Sequence, residues 1–263
     1  MKKILAIATV LSAVCPAAFA QDGRDALLTR PGLEVGVQAA HYHYEEPDFA
    51  KLIGFRVGGV GAFTFTQGDV FLKADGRISL GSLNYQGSGT RSGVPDFILE
   101  GRFVAGTDLH AGEGVVVSPY AGLGYRYLYN DFRGYARSGG VLYVGYRRYS
   151  HYLYAPLGLT LRTGFRDGWV LAPTVEYDYF IRGWQTTMLA DAGLGDPNFT
   201  SEQKRGSGYR FTLMAEKDHL AIGPWIHYWN IKESEHVALG PGRFGWEPEN
   251  WTREFGVEVR YRF

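Results

Sequence analysis

His41 and His43 stand two residues apart, and Glu45, Glu46 and Asp48 follow directly. Imidazoles beside carboxylates are the raw material of a general base or a metal site. Alternate residues of a strand share a face, so an extended segment here aims both rings the same way. The same pair also suits an interfacial position in which imidazole substitutes for an aromatic ring. That second reading is preferred, and His41 and His43 stay candidates without an assigned catalytic role. Ser150 and His151 are adjacent and point to opposite faces of a strand, which is poor geometry for a dyad unless a bulge intervenes. His227, within Trp225-Ile226-His227-Tyr228-Trp229, is expected in an aromatic belt. No cofactor and no metal site are expected.

The larger set of reactive side chains is ionic and recurs with a period of two. Between Val70 and Leu80, one face holds Val70, Leu72, Ala74, Gly76, Ile78 and Leu80, and the other Phe71, Lys73, Asp75, Arg77 and Ser79. Extending that register places Lys73, Asp75, Arg77, Glu100, Arg102, Arg126, Arg162, Glu176, Asp178, Arg182, Arg210, Glu216, Glu254, Glu258 and Arg260 on polar faces. Their signs nearly balance. In an enclosed space unpaired charges are costly, so these groups are expected to pair in networks.

Such a set has to be positioned by strands. Alternation marks ten segments: 33–44, 53–66, 69–80, 96–105, 115–129, 148–163, 169–182, 207–216, 220–232 and 252–263. Each approaches or exceeds the nine to eleven residues with which a tilted strand crosses a membrane, whereas soluble strands are about half as long. Short connections, such as Thr66-Gln67-Gly68-Asp69, alternate with long ones at 85–95, 130–147, 183–206 and 233–251. The predicted architecture is an all-β, antiparallel up-and-down transmembrane barrel of about ten strands, with short periplasmic turns and long extracellular loops.

Residues 1–20 are expected to be a cleaved secretion signal: Lys2 and Lys3, an apolar stretch from Ile4 to Val14, then Ala18-Phe19-Ala20. Cys15 is preceded by Val14 rather than by the small residue a lipidation site needs, so it is expected to leave with the leader. Residues 21–263 then form one barrel domain. The chain after the leader has no apolar run long enough for a membrane helix. Aromatic residues make up 15% of the chain and there are 36 glycines, a profile of strands and turns. With 27 basic and 27 acidic residues, no field that would recruit nucleic acid is implied.

Alternation alone does not say which face points inward, so a soluble barrel with an apolar interior has to be weighed. Only Lys51, Lys73, Lys204, Lys217 and Lys232 are lysines after the leader, against many arginines. Arginine suits enclosed bidentate pairing with carboxylates. Aromatic residues gather near segment ends, as at Tyr125, Tyr127 and Tyr129, or Trp225 and Tyr228, as in the girdles where lipid meets water. The chain stops on Tyr261-Arg262-Phe263, and Val259, Tyr261 and Phe263 alternate with charges. This terminus resembles the last strand of Gram-negative outer-membrane β-barrel proteins. The resemblance implies an outer-membrane location, contact with lipid and lipopolysaccharide, and recognition of Val259, Tyr261 and Phe263 by the barrel-assembly machinery.

The size and strand count are similar to those of ten-stranded barrels such as the omptins, whose catalytic Asp and His residues sit at the extracellular rim. Their paired constellations are not found here, and no catalytic residue is carried over. The expected function is therefore non-enzymatic: a narrow solute channel, or a surface or structural protein with a charge-filled lumen. The partner is then a small solute or a host surface ligand, the latter met by aromatic-rich loops. The alternative is a rim-located hydrolase, a protease or a lipid A modifying enzyme.

Overall fold

The computed structural model describes residues 26–263; the expected leader and Cys15 lie outside them. Ten long strands follow in order: β1 (Gly32–Glu46), β2 (Ala50–Gln67), β3 (Val70–Gln86), β4 (Thr90–Thr107), β5 (Val115–Ser138), β6 (Val141–Gly164), β7 (Val170–Thr187), β8 (Gly206–Lys217), β9 (Leu220–Ile231) and β10 (Asn250–Arg262). Each pairs antiparallel with the next, and β10 pairs back onto β1 from Glu34↔Arg262 to Glu45↔Trp251. The ring is closed, so no strand leaves its backbone unpaired along the shared height of the wall.

The period-two pattern sorts the side chains as the sequence requires. Val37, Phe55, Val57, Ile78, Leu123 and Val257 point outward and are 46–71% exposed. Their in-between neighbours, among them Gln38, Arg56, Arg77 and Glu258, are buried. A wall this apolar around a polar interior is stable with hydrocarbon, not water, against it. The inverted alternative, a soluble barrel with an apolar centre, is thereby excluded.

Both described chain ends lie at the same end of the barrel as the turns 68–69, 108–114, 165–169 and 218–219. The opposite end differs from expectation. The segments 85–95 and 130–147 are not loops: β3 and β4 run on to a connection at 87–89, and β5 and β6 to one at 139–140. Beyond the membrane both faces of a hairpin meet water, so the apolar–polar alternation fades while the hydrogen-bond ladder continues. Gly139 and Gly140 close the β5–β6 hairpin at φ 53° and 86°, backbone angles that a two-residue hairpin turn demands and glycine tolerates. The other two connections, 188–205 and 232–249, are long as expected. The first holds a short strand, Phe199–Gln203, added to the top of β7, and the second a small hairpin, Val237–Gly240 with Arg243–Gly245.

Candidate functional site: a zipped lumen

At mid-height the inward faces of β2, β3, β4, β5, β8 and β10 deliver charged side chains to one layer. Glu254 of β10 accepts two bonds from Arg77 of β3, at 3.1 and 2.9 Å, and one from Arg126 of β5 at 3.1 Å. Arg56 of β2 lies 3.6 Å from the same carboxylate and pairs with Asp96. Arg77 also donates to Glu100 of β4 at 2.6 Å. Glu100 in turn accepts Arg210 of β8 and, at 2.6 Å, the Tyr154 hydroxyl of β6. Arg210 reaches Asp178 and Glu176 of β7 at 2.7 and 3.0 Å. Arg102 links Glu176, at 2.6 Å, to Asp75 of β3, at 2.8 Å. The chain of ion pairs thus crosses the barrel from β10 to β7 and returns to β3. Arg77, Arg102 and Arg210 each reach two or more carboxylates, and those multiple acceptors offset the desolvation a lone buried charge would suffer.

Aromatic rings fill the space on the loop side of this layer. Trp229 packs with Tyr152, Tyr154, Phe180, Ile98, Leu128 and Ile231, and Tyr42, Tyr44, Leu52, Leu83 and Val94 form a second cluster. Arg56 lies 3.3 Å above the Tyr42 ring, and Arg126 lies 5.5 Å from Trp229. Rings here both fill volume and face cations.

Each end of the barrel carries a further closure. At the loop mouth, Arg148 pairs with Glu46 at 2.7 Å and with Glu247, a residue of the 232–249 connection. The Tyr44 hydroxyl is 2.7 Å from Glu46 and 3.0 Å from Glu247. Ser234 N–H to Glu247 O at 2.9 Å and Glu247 N–H to Ser234 Oγ at 2.8 Å cinch the connection to itself, and Glu235 N–H to Glu202 O at 2.9 Å ties it to the 188–205 connection. Burial pushes the Glu247 carboxyl up to about 7. At the turn end, Leu27 is 3% exposed between Val116 and Val170. Thr29 donates its N–H and hydroxyl to Asp108 at 2.6 and 2.8 Å. Between this stopper and the mid-height layer lies a cavity of about 170 Å³, lined by Lys73, Arg162, Glu216, Glu258 and Arg260 among others.

Fourteen of the fifteen residues expected in the lumen are there. Arg162 lies 2.9 Å from Ser118, Arg260 2.6 Å from Glu258, and Glu216 3.5 Å from Arg262. Arg182 is the exception. The register jumps from Leu153↔Arg182 to Tyr154↔Phe180, leaving Ile181 as an extra residue in β7. A bulge of this kind reverses side-chain parity beyond it, so Arg182 faces outward, half-exposed, against Glu202 at 2.8 Å. Sequence reasoning missed Arg56, Asp96, Glu34 and Arg262 as lumen residues. Arg56 could have been found from Phe55 and Val57, whose apolar character marks the opposite face.

The histidines separate by face. His41 and His43 point outward, in step with Leu33, Val35 and Val37. His41 meets Phe55 edge-on at 5.3 Å; His43 lies 4.6 Å from Trp251 and 3.3 Å from Glu45. His151 faces outward with Nδ1 2.6 Å from the Tyr125 hydroxyl, while Ser150 faces inward to Gln185. The expectation of an outer belt position for His227 and Trp225 is corrected. Trp225, His227 and Trp229 turn into the lumen, and Ile226 and Tyr228 take the wall. Arg77 lies 5.6 Å from the Trp225 ring, a cation that the lipid face does not offer. Val259, Tyr261 and Phe263 lie exposed on the outer wall.

No protein-family model matches the chain, and no curated protein sequence matches it. Among solved structures it is similar to the outer membrane protease OmpT from Escherichia coli, with a TM-score of 0.52 and 11% identity, covering 88% of this chain and 97% of that one. The β domain of the Bordetella autotransporter BrkA is matched at a TM-score of 0.42 and 11% identity, over 89% and 100% of the two chains. The translocator domain of the autotransporter NalP from Neisseria meningitidis is matched at 0.40 and 15%, over 92% of each. At 11% identity the likeness to OmpT is one of fold.

Proposed function

We propose, from the premise that this chain is a Gram-negative outer-membrane β-barrel, that it is a non-enzymatic surface protein whose lumen is a structural support. The observation that carries this reading is the continuous ion-pair layer from Glu254 through Arg77, Glu100 and Arg210 to Glu176 and Arg102. A solute crossing the barrel must break several buried ion pairs, and breaking one costs about 3–5 kcal/mol. The Glu247 strap and the Leu27 stopper close the ends on either side. Of the two readings drawn from the sequence, a narrow channel and a static support, the second fits this arrangement. The faces left for function are the extended hairpins and the two long connections at the loop end. Among the described residues at the rim, His43 pairs with Glu45 and His236 with Glu233, and neither imidazole holds a serine hydroxyl.

Planar-bilayer recording tests the proposal. The wild-type barrel is expected to show no conductance steps across acidic to alkaline pH and low to high salt. Glu254→Ala combined with Arg210→Ala is expected to give fluctuating steps. Regular, ion-selective steps from the wild type would overturn the closed-lumen reading.

A further inference from the structure

The β5–β6 hairpin stands above the rest of the wall. β6 takes no partner from β7 until Arg148↔Thr187. Arg147 is held at that point by the Met188 N–H, 3.0 Å from its carbonyl, and by Asp191. Over residues 141–146 the side of β6 away from β5 makes no hydrogen bond to any described residue. This free edge runs from roughly 10 Å to roughly 27 Å along the strand from Tyr149, at 3.3–3.4 Å per residue. Tyr149 belongs to the aromatic wall with Tyr127 and Tyr129, so the edge projects clear of the membrane.

The edge is apolar and undefended. Val141, Leu142, Tyr143 and Val144 are consecutive and 53%, 51%, 41% and 36% exposed, and Tyr135, opposite Val144, is 59% exposed. Proteins blunt such edges with lysine, proline, a bulge or a short strand because unpaired backbone beside apolar side chains recruits another chain. Residues 141–146 contain no charge and no proline.

Charge then selects the partner. Arg133, Arg147 and Arg148 each hold a carboxylate, of Asp131, Asp191 and Glu46 respectively. Arg137, directly across from Leu142, has no carboxylate within ion-pair distance among the described residues, whereas Arg91 is spent on the Phe132 carbonyl. A second copy of the same hairpin would bring its own Arg137 to this edge and no carboxylate with it. Two barrels in one membrane, related by an axis along its normal, would also set their β6 edges parallel rather than antiparallel.

We propose that residues 141–146 of β6 are a strand-addition site for an extended acidic polypeptide, whose backbone completes the ladder and whose carboxylates meet Arg137 across Leu142. This is strand augmentation, in which backbone bonds supply affinity and side chains supply selection. It rests on the surface-protein reading above by naming the partner class, yet it is tested on the hairpin and not on the lumen. A failure here leaves the conductance result standing, and the reverse also holds.

The test uses the full barrel in nanodiscs and three capped fluorescent peptides long enough to span residues 141–146. One alternates Val with Glu, one alternates Val with Lys, and the third is the Val–Glu peptide with alternate backbone nitrogens methylated. Anisotropy is expected to show binding of the Val–Glu peptide and protection of the 141–146 amides from exchange. Losing several backbone bonds should weaken the methylated peptide by about tenfold or more. The doublet Leu142→Glu with Val144→Glu keeps the hairpin and is expected to exchange preference from the Val–Glu to the Val–Lys peptide. Equal binding of the methylated peptide, equal binding of the Val–Lys peptide to wild type, or binding unaffected by the doublet would each overturn the proposal. So would a concentration-dependent dimer, lost in the doublet, with no peptide bound.

Discussion

Glu254→Ala is the sharpest perturbation of the lumen. The carboxylate serves three guanidiniums, but they depend on it unequally. Arg77 keeps Glu100 at 2.6 Å, and Arg56 keeps Asp96. Arg126 has no other carboxylate within ion-pair distance among the described residues, and its Nε and one terminal nitrogen already lack hydrogen-bond partners. The substitution therefore strands one fully buried cation rather than three. The expected loss is about 3–5 kcal/mol, the cost of removing one side of a buried pair. Adding Arg126→Met removes the stranded charge and should recover much of that loss, with a coupling energy of about 2–3 kcal/mol. Urea unfolding of the barrel in phospholipid vesicles, followed by indole emission from Trp225 and Trp229 and by heat-dependent gel mobility, measures both. If Glu254→Ala costs less than about 1 kcal/mol, or the two substitutions are merely additive, the layer is not a mechanical support.

Three further outcomes are expected. Glu247, held near 7 against an ordinary value of 4.5, binds its proton more tightly with the strap docked. Docking is therefore favoured as pH falls and that advantage is lost as pH rises through about 7; protease cleavage of residues 232–249 should be slower on the acidic side, and Glu247→Gln should abolish the difference. Asp108→Ala removes the acceptor of both Thr29 bonds and of the Ser118 hydroxyl at 2.5 Å; the segment before β1 should become protease-sensitive while the barrel keeps its gel mobility. Arg182→Ala, at an exposed pair, should change stability by about 0–1 kcal/mol, whereas Arg210→Ala should match Glu254→Ala in the urea assay.

The period-two alternation is a property of neighbouring residues, so the chain itself specified ten crossings, their apolar outer wall and an ionic interior. Even the outward aim of His41 and His43 was legible in their parity with Leu33, Val35 and Val37. The lumen position of Trp225 and His227 was legible too, from Ile222 and Ile226 on the other face. Local pattern fails where its cause is absent. Above the membrane both faces of β5 and β6 meet water, and the tall hairpin leaves no alternation to read. One extra residue, Ile181, reverses the parity that placed Arg182. Partner choice is further out of reach, because Arg77 meets Glu100 at a separation of 23 residues and Glu254 at 177. Arg77 and Glu100 face each other across the β3–β4 ladder, but only closure of β10 onto β1 brings Glu254 to them, and that closure decides whether a row of balanced charges is a conduit or a lock.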